Sequence, residues 1–223
     1  MCAGLFTTSI GRKTLMALSG LALLGFVIAH LLGNLLIFRG AEALNAYALK
    51  LEHLQPLVWS ARIGLLLAAL AHVWTSIQLA RENRRARPVG YQRQRMASTT
   101  LAARTMLVSG LLLLAYIVYH LLHFTFRVAH PEVAHLVDAL GHRDVYAMVV
   151  RSFQQWPITA VYVVAMACLC MHLSHGIGSA AQTLGVNNER TLAAFHLGGA
   201  LLAWLLFLGY CSIPLAVILG LVR

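Results

Sequence analysis

Histidine is the residue type with the clearest chemical potential in this sequence, because several histidines interrupt long apolar runs. Five of the eleven lie well inside such runs: His30, His72, His120, His172 and His175. Imidazole binds haem iron and other transition metals, and it also relays protons. An ionisable side chain is costly to bury in a membrane and is therefore usually functional there. These positions indicate haem or metal binding, or proton transfer, inside a membrane.

The segments that carry these histidines are long and apolar enough to cross a bilayer. The 223 residues are 60% hydrophobic and 11% charged, whereas about a quarter of the residues of a soluble domain are charged. A span needs about 20 apolar residues, and a helix satisfies its own backbone groups in lipid. The expected fold is all-α, a single membrane domain over residues 1–223 built as an integral bundle of five transmembrane helices. Their approximate bounds are 15–38, 57–80, 101–124, 157–180 and 192–219.

The linkers between these spans predict the orientation of the chain. The linkers 39–56 and 125–156 are long, and segments 41–54 and 144–153 have the apolar spacing of short interfacial helices. Basic residues outnumber acidic ones by 17 to 7, and the densest basic run lies at 81–95. The positive-inside rule places the N-terminus in the cytoplasm and the C-terminus outside. Contact with anionic membrane lipid explains the excess charge, so no nucleic-acid partner is expected.

The depths of four histidines predict two pairs. At about 1.5 Å per helical residue, His30 and His120 lie roughly 24 and 28 Å from the cytoplasmic ends of their helices. On the same scale, His72 and His172 lie roughly 14 and 15 Å from that side. Two histidines at one depth on different helices suit bis-histidine ligation of haem iron. We therefore expect His30 and His120 to bind an outer haem iron, and His72 and His172 an inner one. Hydrogen bonding to a neighbouring helix is the alternative explanation.

Further candidates surround these four residues. His123 and His175 each lie three positions after a proposed ligand, where they are alternative ligands or contacts for a haem propionate or a quinone oxygen. Cationic side chains at cytoplasmic helix starts are propionate partners or lipid-headgroup contacts: Arg12, Lys13 and Arg104. Gly33 and Gly176 follow proposed ligands by three or four positions, where a porphyrin face would fit. No internal repeat stands out.

Several motifs together resemble the succinate dehydrogenase cytochrome b558 family. The resemblance covers about residues 9–214 and rests on the order and spacing of short motifs. They are Ser9-Ile10-Gly11-Arg12-Lys13, Met16-Ala17-Leu18-Ser19-Gly20, His30-Leu31-Leu32-Gly33-Asn34-Leu35, Asn83-Arg84-Arg85-Ala86-Arg87-Pro88, Arg104-Thr105-Met106, His120-Leu121-Leu122-His123-Phe124, His172-Leu173-Ser174-His175-Gly176 and Gln182-Thr183-Leu184-Gly185.

The resemblance implies the single-chain, dihaem membrane anchor of a succinate:quinone oxidoreductase or fumarate reductase in a bacterial cytoplasmic (inner) membrane. Two b haems would be held by His30, His72, His120 and His172, and electrons would pass from an iron–sulfur subunit to a membrane quinone, usually menaquinone. A flavoprotein and the iron–sulfur subunit would dock on the cytoplasmic side, so this chain would transfer electrons without oxidising succinate itself. None of the seven acidic residues lies inside an expected span, so a buried carboxylate for transmembrane proton transfer is not expected.

Two other functions compete with this interpretation. The first is the dihaem b subunit of another membrane oxidoreductase, of the nitrate reductase, formate dehydrogenase or hydrogenase type. The second is a haem-free transporter whose buried histidines relay protons or bind substrate.

Overall fold

Eight α-helices account for most of the chain that the computed structural model describes, which is residues 6–86, 105–186, 188 and 191–223. The candidate Arg104 and the basic run from Arg87 onwards lie outside these described residues. In chain order the helices are α1 (Ser9–Asn34), α2 (Ala41–His53), α3 (Gln55–Arg85), α4 (Met106–His120), α5 (Pro131–Ala134), α6 (Val145–Phe153), α7 (Trp156–Thr183) and α8 (Leu192–Ile218).

Five of these helices confirm the expected all-α membrane bundle. Helices α1, α3, α4, α7 and α8 are long and apolar enough to cross a membrane. A 3-10 turn (Leu35–Arg39) extends α1, and a π-helical turn (Leu121–Thr125) extends α4. Helix α3 has 31 residues and runs past both ends of the expected span 57–80. At about 1.5 Å per residue it is longer than a hydrocarbon core of about 30 Å. Its charged last turn therefore extends beyond the apolar stretch that the sequence pattern detects.

The short helices of the two long linkers begin and end at residues suited to those positions. Helix α2 begins after Gly40, whose φ of 94° turns the chain out of the preceding 3-10 segment. Helix α6 begins at Asp144, whose carboxylate accepts a hydrogen bond from the backbone N–H of Ala147. Both helices lie where the sequence predicts interfacial helices, whereas the short α5 was not expected.

Four of the membrane-spanning helices form a ring. Helix α1 packs along α3 and α7, and α4 packs along α7 and meets α3. In the described residues α1 and α4 therefore stand opposite each other, and α3 stands opposite α7. Helix α8 lies outside this ring, packed along α7 and touching α1. Side chains that point inward from opposite helices can consequently face each other across the ring.

Ion pairs and hydrogen bonds identify which segments share an end of the bundle. Arg12 at the start of α1 pairs with Glu82 near the end of α3, with an N···O distance of 2.5 Å. At the other end, Arg143 pairs with Glu52 at 3.1 Å and joins the two long linkers. The Tyr146 hydroxyl donates to the carbonyl of Arg223 at 2.9 Å. The N-terminal helix start thus lies at one end, and both long linkers lie with the C-terminus at the other.

Candidate functional site: two histidine pairs

The structure brings the four expected histidines together as two pairs across the ring of helices. The ring centres of His30 on α1 and His120 on α4, the outer pair, are 5.9 Å apart with an interplanar angle of 84°. Those of His72 on α3 and His172 on α7, the inner pair, are 6.3 Å apart at 65°. Two imidazoles whose nitrogens bind one metal ion from opposite sides, at about 2 Å each, have ring centres about 6 Å apart. Each pair therefore has the spacing that one metal ion between two rings requires.

Hydrogen bonds define which nitrogen of His72 remains available in the inner pair. Its Nδ1 lies 3.1 Å from the carbonyl oxygen of Met16 and 3.5 Å from the Oγ of Ser19. A carbonyl oxygen only accepts, so Nδ1 carries the hydrogen and donates it. Since a neutral imidazole has a single N–H, the Nε2 lone pair is left for a ligand.

Ser109 determines in the same way which ring nitrogen of His172 carries the hydrogen. Its Oγ donates to the carbonyl of Met106 at 3.1 Å and lies 3.2 Å from Nδ1 of His172. Because the serine hydrogen is already used, its oxygen accepts the Nδ1–H of His172. Metal-binding histidines commonly donate their second ring N–H in this manner, which fixes the tautomer and the ring orientation. Both inner histidines are thus held with Nε2 free.

Two glycines make room for the inner imidazoles. A Cβ atom on Gly20 would lie 3.1 Å from Cε1 of His72, and one on Gly110 would lie 3.4 Å from Cε1 of His172. The sequence had suggested that Gly33 and Gly176 face a porphyrin. Instead, a Cβ on Gly33 would lie 2.8 Å from the ring of Tyr47. The missing side chain at position 33 therefore leaves space for a residue of α2. Among the described residues, a Cβ on Gly176 would meet Met106 Cε alone, at 4.0 Å.

A short repeat that the sequence analysis missed creates these contacts. Met16-Ala17-Leu18-Ser19-Gly20 on α1 matches Met106-Leu107-Val108-Ser109-Gly110 on α4, and the outer histidine follows each serine by eleven residues. The repeat spans only five positions, of which three are identical, so it is not conspicuous in the sequence. Eleven residues of helix rise about 16 Å. The two pairs are therefore separated by slightly more than the roughly 10 to 14 Å that depth alone suggested.

Aromatic side chains enclose the outer pair. Phe26 stacks on His30 with ring centres 5.2 Å apart, and Tyr210 lies 6.3 Å from the same ring. His120 has Tyr116 at 5.9 Å on one side, and its Nδ1 lies 3.3 Å from the hydroxyl of Tyr162. This environment is less polar than water and shields the space between His30 and His120.

The two alternative histidines lie outside both pairs. His123 belongs to the π-helical turn after α4, and its ring nitrogens contact the Tyr162 hydroxyl and the Ser152 Oγ. His175 lies three residues beyond His172 on α7 and is only partly buried. Nearby, the ring of His196 packs against Gly178, where a Cβ would clash with it. His120 and His172, not their neighbours, thus face the opposite helices.

Two arginines have the buried donors that a carboxylate would satisfy. In the described part of the chain, the buried side-chain nitrogens without a hydrogen-bond partner are Nε of Arg12 and Nε of Arg127. Arg12 lies at the end of the bundle nearer the inner pair. Arg127 follows α4 at the other end and adopts a left-handed φ of 60°, a conformation that is costly for a residue with a side chain. Lys13 is exposed. Arg127 escaped the sequence analysis because nothing in its neighbourhood distinguishes it.

The donor set fits haem better than a protein-only metal cage. No group of three or more His, Cys, Asp or Glu side chains that could hold a metal ion occurs among residues 6–86, 105–186, 188 and 191–223. Haem needs only axial protein ligands because its porphyrin supplies the remaining donors. Three features agree with haem: each site has two histidines, glycines lie against the two inner imidazoles, and two arginines have buried donors without a partner.

The chain matches a known family model. The family model described as succinate dehydrogenase/fumarate reductase transmembrane subunit matches residues 83–207, more than half of the chain. The matched range contains His120 and His172, whereas His30 and His72 precede it. Comparison with curated proteins and with solved structures gives no match.

Proposed function

Because the chain belongs to the succinate dehydrogenase/fumarate reductase transmembrane subunit family, we propose that it is a dihaem cytochrome b anchor that conducts electrons between an iron–sulfur subunit and a membrane quinone. One observation carries this proposal. Four histidines on four helices form two pairs with metal-compatible spacing, and the Nδ1 atoms of both inner histidines are engaged by acceptors.

The roles of the individual residues follow from their positions. His72 and His172 would bind the inner haem iron, and His30 and His120 the outer one. Haem would supply reversible one-electron transfer at these sites. Arg12 would pair with a propionate at the inner level and Arg127 at the outer level, where each has an orphaned donor. Lys13, Arg104, His123 and His175 were further candidates from the sequence, and of these His175 retains a ring without a described hydrogen-bond partner.

The vertical arrangement supports electron transfer across the bilayer. The histidine levels are separated by about 16 Å along α1 and α4. The end of the bundle that holds Arg12 also holds exposed Arg81, Arg84 and Arg85. Positive charge favours the cytoplasmic side, so the flavoprotein and iron–sulfur subunits would dock there. The quinone, by the family resemblance menaquinone, would be reduced near the outer haem.

A reduced-minus-oxidised visible spectrum of the purified chain, with haem quantified per polypeptide, tests the proposal. Two b haems per chain are expected. A folded preparation made with haem available that remains colourless would contradict it and would favour the transporter. Co-purification of the partner subunits and electron transfer from succinate would distinguish this complex from the nitrate reductase, formate dehydrogenase and hydrogenase types.

A further inference from the structure

His123 has no nitrogen left for iron, propionate or quinone. Its side chain is 2% exposed. Nδ1 lies 3.0 Å from the Tyr162 hydroxyl, and Nε2 lies 3.0 Å from Oγ of Ser152. The ring also stacks on Phe124, with centres 3.9 Å apart and an interplanar angle of 18°. Because both ring nitrogens are engaged by protein groups, His123 acts on its neighbours rather than on a ligand. Its partner Tyr162 also contacts His120, which identifies the residue that it can influence.

The direction of each hydrogen bond around His123 follows from the Met148 carbonyl, which is the first acceptor of the chain. Ser152 donates to the carbonyl of Met148 at 2.7 Å, and a carbonyl can only accept. The Ser152 oxygen therefore accepts from Nε2–H of His123. Neutral His123 then has a bare Nδ1, which accepts the hydroxyl hydrogen of Tyr162. The Tyr162 oxygen remains to accept Nδ1–H of His120, 3.3 Å away.

We propose that His123 and Ser152 are positioning residues for the outer haem, which act through Tyr162 to hold His120 in the tautomer whose Nε2 binds iron. This inference rests on the proposed function, in which His120 is an axial ligand. The hydrogen-bond chain ends at Met148, so the linker helix α6 determines the state of a ligand on α4. The inner pair obtains the same result from serine and backbone groups of the spanning helices themselves.

The repeat explains why such a hydrogen-bond chain reaches His120 and not His30. With an offset of 90 residues, His123 takes the place of Gly33. On α1 the glycine leaves space that Tyr47 of α2 fills. In the turn after α4, the side chain of His123 occupies the corresponding space and reaches α6. In the described residues no hydrogen bond to a ring nitrogen of His30 occurs, so the linker-held ligand of the outer pair is His120.

Helix α6 is itself fixed well enough to serve as an anchor. Asp144 caps its first turn and also accepts a hydrogen bond from Nδ2 of Asn45 at 2.9 Å. The Oδ1 of Asn45 accepts from the backbone N–H of Tyr146 at 2.9 Å. The Ser152 side chain is fully buried. These contacts tie α6 to α2 and keep the Met148 carbonyl in place.

Midpoint potentials of both haems in the full chain, for wild type, Ser152→Ala and Tyr162→Phe, test this inference. Donation from Nδ1–H to a strong acceptor makes a ligating imidazole more basic and favours ferric iron. Both variants weaken that donation, so the outer haem should become easier to reduce. The expected change is up to about tenfold in the ferric-to-ferrous ratio, or about 59 mV for one electron. The inner potential should stay unchanged.

Ser212→Ala is the matched control, because Ser212 donates to the Gly209 carbonyl at 2.7 Å and, within the described residues, has no hydrogen bond to either pair. It should move neither potential. Equal shifts of both haems, or an unchanged outer potential in either variant, would overturn the inference. The inner haem spectrum reports folding in each sample, and Tyr162→Phe, which removes only a hydroxyl, serves if Ser152→Ala does not assemble. A wild-type chain without two b haems would instead refute the proposed function.

Discussion

Gly20 on α1 lies so close to the imidazole of His72 on α3 that a methyl group there would stand 3.1 Å from Cε1 and 3.2 Å from Nδ1. This contact is tighter than ordinary van der Waals packing, and the ring is simultaneously held by the Met16 carbonyl. The ring of His72 therefore has little freedom to retreat from a larger residue at position 20.

Gly20→Val should remove most of the inner haem and leave the outer one. The branched side chain would push His72 away from the Met16 carbonyl and from the axis shared with His172. Haem per polypeptide and the reduced-minus-oxidised spectrum measure the result, which should fall from two haems to about one per chain. Gly25→Val is the control, since a Cβ at Gly25 meets nothing within 4 Å. Equal haem content in the two variants would contradict the assigned contact.

The pairing itself predicts which variants share a phenotype. His30→Ala and His120→Ala should each lose the same haem, because either substitution removes one of two axial ligands of the outer site. His72→Ala and His172→Ala should each lose the other. Potentiometric titration of the remaining haem identifies which component is gone. If two members of one pair lost different components, the assignment would be refuted.

The orphaned arginine donors predict separate effects on the two potentials. A cation near a haem favours the reduced form, so Arg127→Gln should lower the outer midpoint potential and Arg12→Gln the inner one. A charge roughly 10 Å away at an effective dielectric constant of about 20 predicts a change on the order of 70 mV. Arg62→Gln is the control, because Arg62 is exposed and stacks on Trp59. Shifts of similar size in all three variants would show a nonspecific charge effect.

The basic end of the bundle predicts a docking phenotype. Arg84→Glu combined with Arg85→Glu reverses two exposed charges at the end of α3. Co-purification with the flavoprotein and iron–sulfur subunits should weaken by more than tenfold, while haem content stays at the wild-type level. Arg151→Glu, an exposed charge at the opposite end, should have no effect on this binding. If it weakened binding as much, docking at the basic end would be excluded.

The sequence predicted those features that depend only on position along a helix axis. Apolar runs predicted five spans, and a constant rise per residue paired His30 with His120 and His72 with His172. Both depend only on distance along a helix axis. Rotation about that axis was not available, so the serine and glycine contacts of Ser19, Gly20 and Gly110 went unnoticed.

Long-range contacts limited the rest of the site. Gly33 was interpreted beside His30, its neighbour in the chain, but the residue that fills its space is Tyr47 from the following linker. The surroundings of His123 come from Tyr162 and Ser152, which lie 39 and 29 residues away. A pattern of neighbouring residues in the sequence does not indicate partners that lie so far away along the chain. Arg127 likewise shows its orphaned donor and left-handed backbone only in three dimensions.

The short repeat divides the chain into two hairpin halves, α1 with α3 and α4 with α7. Each half contributes one histidine to each pair, so neither half contains a complete site. A haem bound at either level would join the two halves, and its binding energy would add to the stability of their association. A chain without haem would keep only the direct contacts between the two halves, such as the packing of α1 along α7.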